Sequence, residues 1–242
     1  MFGFNFDRRT LYIIIGAVLV LSLVSMGTEG IMGMLLTLPG VIIAITFHEF
    51  AHAWTAYKLG DDTPKYQGRL NLNPLSHIDP IGIIMLIVAH FGWGKPVQIN
   101  PNNFRGKFSI SASEAIVSVA GPVMNFIVAI VFAVIYALII KFAGIQFVLT
   151  SMGSVVMAIV QYTIIVNVGL GVFNLIPLPP LDGSKVLMHF LPYNAKMWLE
   201  EKSQIFYIVF LVLFITGIAG KLISPIISFI YAAIMNGVYI FF

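Results

Sequence analysis

Cysteine is absent from all 242 residues, so the chain has neither disulfides nor thiolate ligands for a metal. Charge is nearly as scarce. Only 10% of the residues are Asp, Glu, Lys or Arg, against about 25% in soluble domains, while 59% are hydrophobic. Such a chain cannot cover itself with a soluble surface; it is an integral membrane protein. Internal repeats and low-complexity tracts are missing. The net charge is only +3, and the basic residues do not cluster with aromatics, which gives no support to nucleic-acid binding. The apolar runs reach about 20 residues or more, the length of helical spans rather than of outer-membrane strands. Spans and short connections use up the length and leave no room for a separate soluble domain. Arg8 and Arg9 precede the apolar run from Leu11 to Val24, and Ser25-Met26-Gly27 makes a poor cleavage site. A retained first span is therefore expected rather than a signal peptide.

Against this apolar background one group stands out: Phe47-His48-Glu49-Phe50-Ala51-His52. Ionisable groups inside a membrane are costly and usually functional. On a helix, residues four apart lie about 40° apart around the axis and about 6 Å along it. His48 and His52 can thus offer two imidazole nitrogens to one metal ion. Glu49 projects beside them, placed to handle a proton of the attacking water. This is the H-E-x-x-H pattern of zinc proteases. A shuffled chain with the same five His and five Glu would show it roughly once in five hundred trials. The competing reading is a pair of core or pore histidines with a stray acid, and a third ligand elsewhere would decide between them.

Spans are expected at about 10–27, 31–60, 113–140 and 152–176, the first two divided by a polar turn at Thr28-Glu29-Gly30. Between the second and third lies a polar loop. Its alternation of Leu70 and Leu72 with Arg69, Asn71 and Asn73 has a strand period, so an edge strand able to pair with an extended peptide competes with an ordinary loop. A second short strand is expected near 92–101. The apolar run 81–91 is too short to span easily and has basic residues on both flanks, which suggests a re-entrant or interfacial hairpin. His77, Asp79 and His90 near it have no metal-ligand spacing and are read as surface or interfacial polar groups. Asn125, at the end of Gly121-Pro122-Val123-Met124-Asn125, is an amide in hydrocarbon that needs a partner, as helix-to-helix glue or at a site. The fourth span carries Gln161, Asn167 and Asn174, then breaks at Pro177, Pro179 and Pro180 ahead of Asp182. Asp182 reads equally as the N-cap of a short helix over 184–190 or as a ligand. The apolar stretch 204–242 forms either two short spans or one broken one.

The distribution of positive charge orients the layout. With the N-terminus in the cytosol, Arg8, Arg9, Lys58, Lys65, Arg69, Lys95, Arg105, Lys107, Lys185, Lys196 and Lys202 all face that side, eleven of the thirteen basic residues. His48 and His52 then sit about 15 and 9 Å from Lys58 along the helix. Asp182 follows a span that descends to the same side. Two histidines and one carboxylate with an open position form a catalytic zinc set.

These motifs, His48 to His52, Gly121 to Asn125 and Asn174 to Gly183, resemble the three signatures of the site-2 proteases, intramembrane zinc metalloproteases that cut transmembrane segments of other proteins. The likeness covers about 31–190, and Gly68 to Pro74 resembles a loop of compact prokaryotic members. Many members carry PDZ or CBS domains; this chain has room for neither. The resemblance implies Zn²⁺ held by His48, His52 and Asp182, with Glu49 as catalytic acid and base. It implies Asn174 and Asn125 near the substrate, and the loop residues Arg69, Leu70, Asn71 and Leu72 are candidates to hold it extended. The fold expected is an all-α polytopic membrane protein in the cytoplasmic membrane. It has about five or six transmembrane helices, a re-entrant or interfacial hairpin and a short β-strand loop, all in one protease domain over 1–242. Its partners would be the lipid bilayer and a transmembrane helix of a substrate; no oligomeric state follows. Two other functions compete. A transporter would also use Pro-broken helices, but no second half mirrors the first. A proteolytically inactive scaffold is opposed by the intact Glu49 and ligands.

Overall fold

The computed structural model describes residues 8–89 and 92–241. His90 lies outside the described residues. The chain runs through α1 (Arg8–Lys58), α2 (Thr63–Tyr66), α3 (Pro74–His77), α4 (Pro80–Ala89), α5 (Ile110–Val148), α6 (Ser151–Asn174), α7 (Asp182–Phe190), α8 (Tyr193–Glu201), α9 (Ser203–Ile215) and α10 (Ile218–Tyr239). Among the described residues, four stretches are long and apolar enough to cross a membrane: Val20–Lys58, Ile110–Val148, Ser151–Asn174 and Ile218–Tyr239. The all-helical expectation holds, with no sheet among the described residues.

The helix breaks fall at glycines. The polar triplet Thr28-Glu29-Gly30 is not the turn expected between the first two spans; it is helical. The break is the single residue Gly27, whose φ of 65° and ψ of −178° leave the helical region. Glycine takes such a φ without a Cβ clash, and three helical residues cost less in hydrocarbon than an open turn. Gly144 breaks α5 in the same way, and Gly217 divides α9 from α10. Over its described residues, 204–241, the tail is therefore two helices.

The bundle core is built by α5, α6 and α10. Ala129, Ala133 and Ala137 recur every four residues along α5 and meet Val160, Ile164, Val168 and Val172, spaced likewise along α6. Matched four-residue rows interdigitate, and alanine lets the backbones approach. Met235 and Val238 of α10 close the cluster. The helix α1 packs against both α5 and α6. The outward faces of these helices stay apolar because their solvent is lipid.

The end of α1, the start of α5 and the start of α7 meet at one end of the bundle. There the loops between α1 and α5 form a polar platform. Arg105 N–H donates to Leu59 O at 2.7 Å, and Ser111 Oγ lies 3.3 Å from His189 Nδ1. Buried Asp61 accepts four hydrogen bonds, from Thr63 N–H and Oγ1, Asn100 N–H and Asn103 Nδ2. The edge strand expected at 69–73 does not form. Arg69 turns inward, only 4% exposed, and its guanidinium donates to the carbonyls of Ser76, Lys95 and Pro96. Asn71 and Asn73 each bind a backbone N–H two residues on, which bends the chain instead of extending it. Among the described residues the β-pairing is a lone antiparallel bridge, Ile78 to Gly94, so the second short strand expected near 92–101 does not form either.

Candidate metal centre

His48 and His52 point from α1 toward α5 and α7. Their Nε2 atoms lie 3.0 Å apart. Asp182 Oδ2 lies 3.1 Å from one and 3.2 Å from the other. Asp182 is the first residue of α7, and its side chain makes no cap; the N-cap position belongs to Leu181. The capping alternative for Asp182 is thereby removed, and the carboxylate is spent on the two histidines.

The outer partners fix which ring nitrogens carry protons. His52 Nδ1 lies 2.7 Å from Val117 O, which can only accept, so Nδ1 is the donor. His48 Nδ1 lies 2.7 Å from Asn125 Oδ1. Both hydrogens of the Asn125 amide are spent elsewhere, on Ala44 O at 3.1 Å and Asn167 Oδ1 at 3.0 Å. Its oxygen therefore faces His48, and His48 Nδ1 also donates. With Nδ1 of each ring turned to an outer acceptor, both Nε2 atoms face each other and a carboxylate oxygen. Three such atoms about 3 Å apart are held together by a cation among them, a metal ion or a proton shared with the carboxylate. Asp182 Oδ2 is buried and has no hydrogen-bond donor of its own.

Two glycines make the trio possible. A Cβ on Gly121 would stand 2.5 Å from His52 Nε2 and 2.6 Å from Cε1 of both histidines, so α5 can pass the rings only as bare backbone. A Cβ on Gly183 would stand 2.4 and 2.5 Å from the carbonyl oxygens of Leu175 and Ile176. Glycine there lets the chain fold back tightly and bring Asp182 to the histidines. Glu49, next to His48, turns toward the platform, where its Oε2 accepts Val97 N–H at 3.0 Å.

The remaining candidates are placed differently. Asn125, expected beside the substrate, is fully buried, and its amide serves His48. Asn174 donates to Leu170 O within its own helix. Leu70 and Asn71 are half-buried and Leu72 is exposed, in the platform loop. Sequence reasoning did not assign Val117 O, Val97 N–H or Asn167. A main-chain group has no sequence signal, whereas Asn167 was visible as an amide inside a span.

The model of peptidase family M50 matches residues 82–218. YwhC of Bacillus subtilis (strain 168), which carries the name of a zinc metalloprotease, is 38% identical over 188 residues, covering 78% of this chain and 84% of that protein. The chain belongs to peptidase family M50. Rip2 of Mycobacterium tuberculosis and Rip2 of Mycolicibacterium smegmatis, which carry similar names, are 30% and 29% identical, each over about three quarters of this chain and two thirds of their own length. No solved structure matches. The resemblance to the site-2 proteases is thereby borne out.

The M50 chain's donor set fits Zn²⁺. Two neutral imidazoles and one carboxylate are zinc ligands at about 2.0–2.2 Å, which in a tetrahedron puts ligand atoms roughly 3.4 Å apart. The observed separations of 3.0, 3.1 and 3.2 Å approach that edge. Three protein donors leave a fourth position for water or substrate.

Proposed function

We propose that this M50 peptidase is an intramembrane zinc metalloendopeptidase that cuts transmembrane segments of other membrane proteins near the cytosolic side. The observation that carries the proposal is the convergence of three metal-ligating atoms, His48 Nε2, His52 Nε2 and Asp182 Oδ2, with Glu49 next to His48 on an apolar helix. His48, His52 and Asp182 hold the metal. When bound, zinc supplies a Lewis acid that polarises the scissile carbonyl and makes water acidic enough to attack near neutral pH. Glu49 takes the proton of the attacking water and delivers it to the leaving amine. The Val97 N–H holds Glu49 Oε2 at 3.0 Å, leaving Oε1 for that proton.

A substrate helix hides its peptide bonds in its own hydrogen bonds, so it must unwind locally before cleavage. The loop carrying Leu70, Asn71 and Leu72, and the irregular segment 175–181 with Asn174 before it, are the surfaces given to holding it extended. Arg69 acts there indirectly, by pinning the platform. The N-terminus lies in the cytosol, which puts the platform and its basic residues on that side. The short distance from His52 to the end of α1, about 9 Å, supports water reaching the site from there. The spans number five or six, two from the halves of α1 about Gly27, then α5, α6 and α10, with the shorter α9 as the sixth and α4 as a re-entrant hairpin.

The test is reconstitution of the zinc-loaded chain in liposomes with designed transmembrane helices, with product ends mapped by mass spectrometry. Cuts in the cytosolic third of the helix are expected. Ion flux across the vesicles without any product would favour a transporter and contradict the proposal.

A further inference from the structure

The hydrogen bonds behind His48 continue beyond Asn125 into α6, through a residue that the peptidase chemistry does not use. Asn125 Nδ2 donates to Asn167 Oδ1 at 3.0 Å. Asn167 Nδ2 donates in turn to Thr163 O at 2.8 Å. Both amides are fully buried. The direction of every bond is determined. Thr163 O and Ala44 O are main-chain carbonyls that only accept, so each amide must present its NH₂ to them and its oxygen the other way. The relay thus runs with one polarity from Thr163 on α6, through Asn167 and Asn125, to the Nδ1–H of His48 on α1.

We propose that Asn167 is a positioning residue for the metal centre. It holds the Asn125 amide in the one orientation that keeps the His48 proton on Nδ1 and leaves Nε2 free to bind zinc. A swivelled Asn125 would offer NH₂ to Nδ1 and move the imidazole proton to Nε2, where no metal can bind. Ala44 O opposes that swivel through one hydrogen, and Asn167 opposes it through the other.

The helix approach that makes this contact possible is also built in. A Cβ on Gly40 would lie 2.8 Å from Thr163 Cα, so α1 and α6 nearly touch one turn before Ala44. At the far end, α6 runs into the segment that carries Asp182. One helix therefore reaches two of the three donors, His48 through the relay and Asp182 through the chain. His52 is held by a main-chain carbonyl and stands outside this control.

The inference rests on the zinc-centre reading, and its test reads metal binding rather than cleavage, so the two can fail separately. Zinc affinity of the purified full chain is measured by competition with a chromogenic chelator. Asn167→Leu, of similar volume but without polar atoms, is expected to weaken zinc by at least about tenfold, as loss of an outer partner of a ligating histidine does. Asn167→Asp is expected to restore it to within about threefold. In so apolar a place the acid stays neutral, and its C=O and O–H reproduce the amide's polarity. Asn167→Ala, which empties the position, replaces the leucine variant should that one not fold. Wild-type affinity in the variants lacking polar atoms overturns the proposal. So does equal loss in Asn167→Asp, which would make the position a matter of packing alone.

Discussion

Replacing Gly121 with alanine adds one methyl group where the structure has no room for it. The new Cβ would sit 2.5 Å from His52 Nε2 and 2.6 Å from Cε1 of each histidine. Non-bonded heavy atoms settle near 3.5 Å, so something must yield by about 1 Å. The ring of His52 is tied behind by Val117 O and that of His48 by Asn125, so either α5 retreats or a ring turns off its tether. Overpacking of this kind costs about 1–3 kcal/mol of stability. The effect on metal is larger in proportion, because ligand distances are held to about 0.2 Å. Zinc affinity should fall by more than the 10–100-fold seen when outer partners are lost, about 10³-fold. Chelator competition measures the affinity, and circular dichroism and thermal unfolding in detergent check that the bundle persists. Wild-type zinc affinity in folded Gly121→Ala would refute the reasoning, since the rings could not then converge as described.

Gly183→Ala should act on the third ligand alone: its Cβ collides with the carbonyls of Leu175 and Ile176, Asp182 is displaced, and zinc falls while the α1–α5–α6 packing melts as in wild type. The platform should loosen on mild acidification. Burial holds the pKa of His77 below 6.5; the Arg69 charge acts the same way, against the opposing Asn71 carbonyl. Its Nε2–H is spent on Asn71 O and its buried Nδ1 has no partner, so a second proton is refused in the fold. Below pH 6.5 the unfolded loop binds a proton that the folded loop does not, and stability drops as pH falls. Asp61 adds nothing in that window. Burial raises its carboxyl and four hydrogen bonds lower it further, so its contribution is complete above 3.8 and is lost only below that. Hydrogen exchange of the 94–100 amides, corrected for intrinsic rate, should therefore quicken between pH 7 and 5; unchanged exchange would contradict the assignment of a neutral His77.

How much of this the sequence made legible depends on what each residue's signal refers to. The i, i+4 spacing of His48 and His52 is local, and helix geometry alone turns it into a pair of converging nitrogens. Asp182 lies 130 residues further on, yet the parity of the spans and the clustering of basic residues placed it at the same end. The failures are tertiary. Leu70 and Leu72 alternate like a strand, but the inward guanidinium of Arg69 and the local turn bonds of Asn71 and Asn73 outweigh that pattern. Asn125 announced a need for a partner without naming it; its buried amide meets His48, Ala44 and Asn167. His77 read as a surface or interfacial polar group because its burial depends on how the platform folds over it.

Zinc-dependent cleavage through Glu49 is tested most directly by Glu49→Gln in the reconstituted chain, with zinc content and product from a designed transmembrane helix measured on the same sample. Glutamine keeps the size and the Val97 contact but cannot carry the proton, and it is not among the three donors. The expected result is wild-type zinc with no product. Product at the wild-type rate, with the same zinc content, would contradict the central role of this helix.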